Sequence, residues 1–154
     1  MEGHNEFCRD ILFPFFHNSL DGFIEYDLEL WEKYRNVNSV FASHVIKHQI
    51  QGEMLWIHDY QMLLVPSLLI RRIQGLNIGF AFHVPFPSFD VFRVLPHREH
   101  IIYSILCCDL ITFHQFDYCR HFITICKRML GVTTESSRGF IMLTYEGRQI
   151  ITKV

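Results

Sequence analysis

Three loops in this sequence carry residues that could do chemistry: His58-Asp59-Tyr60, His83 with Pro85-Phe86-Pro87, and His114-Gln115-Phe116-Asp117. Asp59 can accept hydrogen bonds from two sugar hydroxyls or act as a base, and His83 can donate to an oxygen that gains charge in a transition state. The residues alone leave alternatives open. Asp59 reads equally as the N-cap of a helix beginning near Tyr60 or Gln61, and His83 as a satisfied buried histidine. His114 and Asp117 read as structural, Asp117 as a helix cap. Arg71, Arg72, Arg93 and Arg98 fall in helical stretches, where solvated faces or contacts with a helix C-terminus explain them without a phosphate. His44 and His48 lie one turn apart with no third ligand at suitable spacing, so they read as a helix face and no metal site is expected.

The elements that must position these loops follow from hydrophobic spacing. From Asp27 to about Gln49 the residues Leu30, Tyr34, Val37, Phe41 and Val45 recur at steps of three and four, the period of an amphipathic helix with Asp27 as N-cap. MLWIH then reads as a short strand, and MLLVPSLLIRRI as a helix with Pro66 tolerated near its first turn. The alternation repeats. NIGFAFHV is a buried strand, and VFRVLPHREHIIYSILCC gives helical pieces broken at Pro96. DLITFH is a third strand, and FDYCRHFITICKRMLG a helix with Phe116, Cys119, Phe122, Ile123, Cys126 and Leu130 facing inward, ended by Gly131. GFIMLTY and RQIITKV, joined by Glu146 and Gly147, read as a β-hairpin. Strands alternating with helices argue for an α/β fold with a parallel, doubly wound sheet. In such sheets ligands bind at the carboxyl ends of the strands, where the three loops lie.

Composition narrows the classes. The 154 residues suit one domain; 49 % are apolar and only 19 % charged, richer in core material than an average soluble domain. That excess implies extensive burial or an apolar face meant for a neighbour. With 14 basic and 16 acidic residues the net charge is −2, so no global basic field holds nucleic acid or an anionic membrane. The longest apolar run, MLLVPSLLI, is too short to span a bilayer and the N-terminus does not resemble a secretory signal, so a cytoplasmic protein is expected. The five cysteines form no CxxC pair and read as buried free thiols. No GxGxxG or P-loop is present.

HDYQMLLVP, GFAFHVPFPSFDVFRVLP, CDLITFHQFDYCRHF and RGFIMLTYEGR, in that order and spacing, resemble the amino-terminal half of the trehalose-6-phosphate synthase family. HNEFCRDILFPFFH is similar to the family's YNGFSNxxLWPLFH, so the resemblance runs from about His4 to the end. These are retaining glycosyltransferases built from two Rossmann-like domains (the GT-B architecture). The resemblance implies a Rossmann-like parallel sheet with flanking helices and transfer of glucose from UDP-glucose to glucose 6-phosphate, without a metal or cofactor. It implies that Asp59 binds acceptor hydroxyls and His83 contacts the reacting sugars. Phe13 and Val84 shape the acceptor pocket, and His4 falls where the family's tyrosine meets the acceptor phosphate. Family patterns differ at His4 (tyrosine), Phe13 (tryptophan), Gln61 (histidine) and Phe89-Asp90 (serine-glutamate).

Residues 1–154 are accordingly expected to be a single, incomplete N-terminal domain. The family's first strand and glycine loop would precede His4, and its UDP-binding second domain would follow Val154. The fragment is expected to be inactive alone. The other reading from the same residues is a noncatalytic sugar-phosphate-binding or regulatory subunit of a trehalose synthase/phosphatase complex. Expected partners are glucose 6-phosphate, UDP-glucose through the second domain, and further copies of the chain or a trehalose-phosphate phosphatase.

Overall fold

Short runs of β-branched and aromatic residues alternate with amphipathic segments, and the chain folds accordingly. The computed structural model describes residues 2–19 and 27–154. Helix α1 (Glu2–Glu6), a π-helical stretch (Phe7–Leu12) and α2 (Phe13–Phe16) lead to the long α3 (Leu28–His48). Then come β1 (Met54–His58), a 3₁₀ turn (Tyr60–Met62), α4 (Val65–Ile70), β2 (Asn77–Phe82), α5 (Phe89–Phe92), α6 (Arg98–Ile105), β3 (Leu110–Phe113) and α7 (Phe116–Leu130). Three strands close the chain: β4 (Thr133–Ser137), β5 (Phe140–Tyr145) and β6 (Arg148–Lys153).

All six strands form one sheet in the order β1-β2-β3-β6-β5-β4. β1, β2, β3 and β6 are parallel, while β5 and β4 run antiparallel at one edge. The parallel strands advance in one direction, so right-handed crossovers put α4, α5, α6 and α7 on the same face. There Ile57, Ile78, Phe80, Phe82, Ile111 and Phe113 are buried. Register aligns Trp56, Gly79, Leu110, Ile151 and Met142 in a row on the opposite face. The Trp56 indole lies flat over Gly79, where a Cβ would sit 2.8 Å from the ring. Trp56 stays 44 % exposed; this face holds part of the apolar excess.

Several boundaries shift from the sequence reading. Asp27 caps α3 as expected, its side chain accepting the Glu29 N–H at 2.8 Å. The buried stripe of α3 is Trp31, Tyr34, Asn38 and Ala42, whereas Phe41 is half exposed. The stripe is rotated because Asn38 is needed inside, for reasons given below. The apolar stretch after Asp59 is only a 3₁₀ turn and the six-residue α4, with Pro66 in its first turn. In α7, Phe116, the first residue of the helix, is 63 % exposed and not part of the inward stripe. Gly131 ends α7 with φ 65°. The expected hairpin forms around Glu146 and Gly147, both at positive φ as a type I′ turn requires. β4 extends it to three strands.

Every cysteine is a buried free thiol, as expected from the odd number. Burial pushes Cys8 up to about 12 and raises the others. An unfolded thiol ionises near 9.0, so below that pH the group is protonated in both states. Above it only the unfolded chain releases the proton, and stability falls as pH rises from about 9 toward 12. Urea unfolding should therefore show a lower midpoint at about pH 10 than at about pH 7.5, and Cys8→Val should flatten part of the decline.

Candidate functional site

β1 ends at His58, and the chain then turns through Asp59 at φ 58°, ψ −179°, the edge of a region otherwise left to glycine. Holding an L-residue there costs about 1–3 kcal/mol. Two hydrogen bonds fix it. The Asp59 N–H donates to the Ala81 carbonyl at 3.0 Å, continuing the β1–β2 ladder, and Asp59 Oδ1 accepts the His83 N–H at 2.6 Å. The carboxylate therefore bridges two strand ends. It does not cap the turn that follows, because no side-chain cap bond forms there. No described residue hydrogen-bonds Oδ2, which leaves that oxygen able to accept from a ligand.

The turn after Asp59 is gripped from α3. Tyr34 donates its hydroxyl proton to the Tyr60 carbonyl at 2.7 Å and accepts the Leu63 N–H at 3.1 Å. Asn38, fully buried, donates from Nδ2 to the Gln61 carbonyl at 3.2 Å and to the Tyr34 carbonyl at 3.0 Å, and its Oδ1 accepts the Leu64 N–H at 3.1 Å. A 3₁₀ turn against a core has backbone groups that need partners, and these two side chains supply them. Among the described residues no buried side-chain nitrogen or oxygen lacks a partner. Asn38→Leu keeps the branched outline but removes these three hydrogen bonds and leaves the Leu64 N–H without its side-chain acceptor. It should lower unfolding stability by about 2–4 kcal/mol in urea denaturation.

His4 belongs to the same grip. It is buried, stacks on Tyr34 at 5.4 Å, and pairs its Nε2 with the Gln61 carbonyl at 3.1 Å. Its other ring nitrogen lies 3.4 Å from Asn5 Oδ1. The residue expected to meet a phosphate thus also holds the turn after Asp59, through the Gln61 carbonyl.

At the strand ends the histidines meet. His83 is exposed rather than buried; its Nε2 lies 2.9 Å from His58 Nδ1, and its Nδ1 lies 3.0 Å from His114 Nε2. Phe82 pairs with Phe113 across the sheet, which brings the next residues of the two chains, His83 and His114, together. His114, read from sequence as structural, is the third member of this row. The signal was present: MLWIH, GFAFH and LITFH each close a parallel strand with the same residue type. Both ring nitrogens of His83 are engaged by other imidazoles, so the donor expected to face an oxygen is shared within the row. The three rings do not converge on one point, and among the described residues no cluster suits a metal ion.

Aromatic and aliphatic walls flank the row. Phe13 is 45 % exposed with its ring 6.4 Å from that of Tyr60, which in turn stacks on Phe16 at 5.8 Å. Burial, followed by nearby negative groups including Asp59, raises the Tyr60 phenol above its ordinary pKa. Val84 is half-buried beside His83. Asp117 does not cap α7; it pairs with Arg120 at 3.0 Å, and the cap position is Gln115. Arg93 and Arg98 pair loosely with Asp90 and Glu99 on the surface, as solvated faces do. Beyond His114 a cavity of about 340 Å³ continues along the sheet's carboxyl edge, lined by Phe116, Cys119, Phe140, Ile141, Thr152 and Lys153. The ledge has Asp59 as an oriented carboxylate, three imidazoles and an aromatic wall, a set suited to a polyhydroxylated ligand.

Comparison with known proteins places this chain in a family. The model for "Glycosyltransferase family 20" matches residues 1–154. An Arabidopsis thaliana alpha,alpha-trehalose-phosphate synthase (UDP-forming) is 40 % identical over 156 residues, covering 98 % of this chain and 18 % of the relative. This chain therefore spans under a fifth of that relative's length. An E. coli protein solved bound with UDP-2-fluoro glucose superimposes with a TM-score of 0.89 at 27 % identity, covering 99 % of this chain and 33 % of that one. A Burkholderia xenovorans alpha,alpha-trehalose-phosphate synthase solved with glucose-6-phosphate shares the fold, with a TM-score of 0.89 at 24 % identity over 98 % of this chain and 33 % of that one. The α/β sheet and its helices correspond to part of a GT-B protein. From its first residue to its last, this chain belongs to glycosyltransferase family 20.

Proposed function

We propose that this chain forms the acceptor side of a UDP-glucose-dependent retaining glycosyltransferase that makes trehalose 6-phosphate from glucose 6-phosphate. The observation that carries the reading is Asp59: an L-residue in a glycine-type conformation, its carboxylate pinned by the His83 N–H with Oδ2 open. Strain of this kind persists where the surroundings impose it, and it concentrates at ligand sites. Asp59 accepts from two acceptor hydroxyls, Phe13 and Val84 form the apolar wall against the sugar ring, and the His83 row faces the reacting end. His4 supports the turn through Gln61. Glucose 6-phosphate and a UDP-glucose analogue occupy solved proteins of the same fold, which supports these two ligands. A noncatalytic regulatory role has less behind it, because the Arabidopsis thaliana and Aspergillus niger relatives carry synthase names.

Calorimetric titration tests the acceptor claim on the 154-residue chain. Glucose 6-phosphate should bind saturably, and glucose 1-phosphate, with its phosphate at the opposite end of the ring, at least about tenfold more weakly because the hydroxyls facing Asp59 are then misplaced. Equal binding of the two, or no heat from glucose 6-phosphate, would overturn the assignment.

A further inference from the structure

The two short contacts within the histidine row constrain where its protons sit. A neutral imidazole carries one N–H and one bare nitrogen. His83 uses both nitrogens, so it donates in one contact and accepts in the other. If His83 donates from Nδ1 to His114 Nε2, its Nε2 must receive the proton of His58 Nδ1, and His114 keeps its own proton on Nδ1. If His83 donates from Nε2 to His58 Nδ1, its Nδ1 must receive the proton of His114 Nε2, and His58 keeps its own on Nε2. In the first state all three rings are Nδ1–H tautomers, and in the second all three are Nε2–H. A mixed row breaks one of the two hydrogen bonds.

We propose that His58 and His114 are positioning residues that hold His83 between them, and that the three rings share one tautomer and switch it together. The row's outer atoms are His58 Nε2 and His114 Nδ1, neither of which hydrogen-bonds a described residue. In one state the first accepts and the second donates; in the other the roles exchange. A hydroxyl or phosphate oxygen engaging one end thereby sets the hydrogen-bonding character of the other end, two rings away. Use of the row by an acceptor sugar rests on the function proposed above, whereas the proton count rests on ring geometry alone.

The test uses the ¹⁵N-labelled 154-residue chain at about pH 8.5, above the ordinary imidazole range of ~6.5. Long-range ¹H–¹⁵N spectra distinguish protonated from bare ring nitrogens. In the unsubstituted chain the three rings should show the same tautomer, or the same proportion of two; different tautomers on neighbouring rings would overturn the proposal without any variant. His58→Asp puts an acceptor-only carboxylate at the reach of Nδ1, and His114→Glu puts one at the reach of Nε2. His58→Asp should leave both His83 and His114 protonated on Nε2. His114→Glu should leave both His83 and His58 protonated on Nδ1, so that the far ring follows a substitution that does not touch it. The same tautomer on His83 in both variants, or a far ring protonated on the nitrogen opposite to that of His83 in the same variant, would overturn the shared row. All three positions are exposed, so neither change enters the core. Glucose 6-phosphate added afterwards reports separately: no response to it counts against the acceptor reading, while the tautomers still decide the row.

Discussion

Asp59→Gly should fold as well as the unsubstituted chain and yet lose glucose 6-phosphate by about 100-fold or more. Removing the carboxylate deletes two charge-assisted hydrogen bonds to acceptor hydroxyls, each worth about 1.5–3 kcal/mol, and every ~1.4 kcal/mol is a factor of ten in affinity. The same change relaxes the backbone, because φ 58° with ψ −179° suits glycine. Relief of about 1–3 kcal/mol of strain offsets loss of the bond to the His83 N–H. Asp59→Ala loses the bond and keeps the strain, so it should be less stable than Asp59→Gly by about 1–2 kcal/mol in urea unfolding. That order reverses the usual preference for alanine over glycine. Equal stability of the two variants would remove the strain argument, and unchanged affinity in Asp59→Gly would remove the carboxylate's role.

Phe86→Ala should be the most damaging single truncation, costing about 3–5 kcal/mol. Phe86 is 1 % exposed, and its ring meets those of Phe16, Phe82, Phe92, Phe113 and Phe122 at 5.7, 5.1, 5.8, 5.7 and 5.4 Å. Those five rings come from five separate elements, so no single neighbour can collapse into the hole. Its carbonyl also pairs with His121 Nδ1 at 2.9 Å, which ties the loop carrying His83 and Val84 to α7. Against a total of about 5–15 kcal/mol, such a loss brings the chain close to unfolding. Phe86→Leu, which leaves a smaller void, should cost about half as much in chemical denaturation.

Elements with one strong period were legible in the residues. α3, β1, β2, β3 and α7 each have a clear hydrophobic repeat, and the loops at the strand ends were therefore placed before any coordinates. β4 was not, because Thr133–Ser137 carries no apolar alternation; it is an edge strand held by backbone pairing to β5. Asn38 was hidden for a related reason. A polar residue on a helix stripe reads as a break, and only the 3₁₀ turn packed against α3 shows what it satisfies. The resemblance named Asp59 and His83, but their bond depends on the register between β1 and β2, which spacing does not carry. The backbone of Asp59 and the inward turn of His4 are likewise products of packing.

Amide spectra of the ¹⁵N-labelled chain titrated with glucose 6-phosphate test the acceptor ledge most directly. The Asp59 and His83 amides should shift together and saturate with one dissociation constant, with Phe13 and Val84 following and the cavity lined by Phe140 and Thr152 unaffected. Shifts confined to that cavity, or spectra unchanged at saturating ligand, would contradict an acceptor site at the carboxyl ends of β1 and β2.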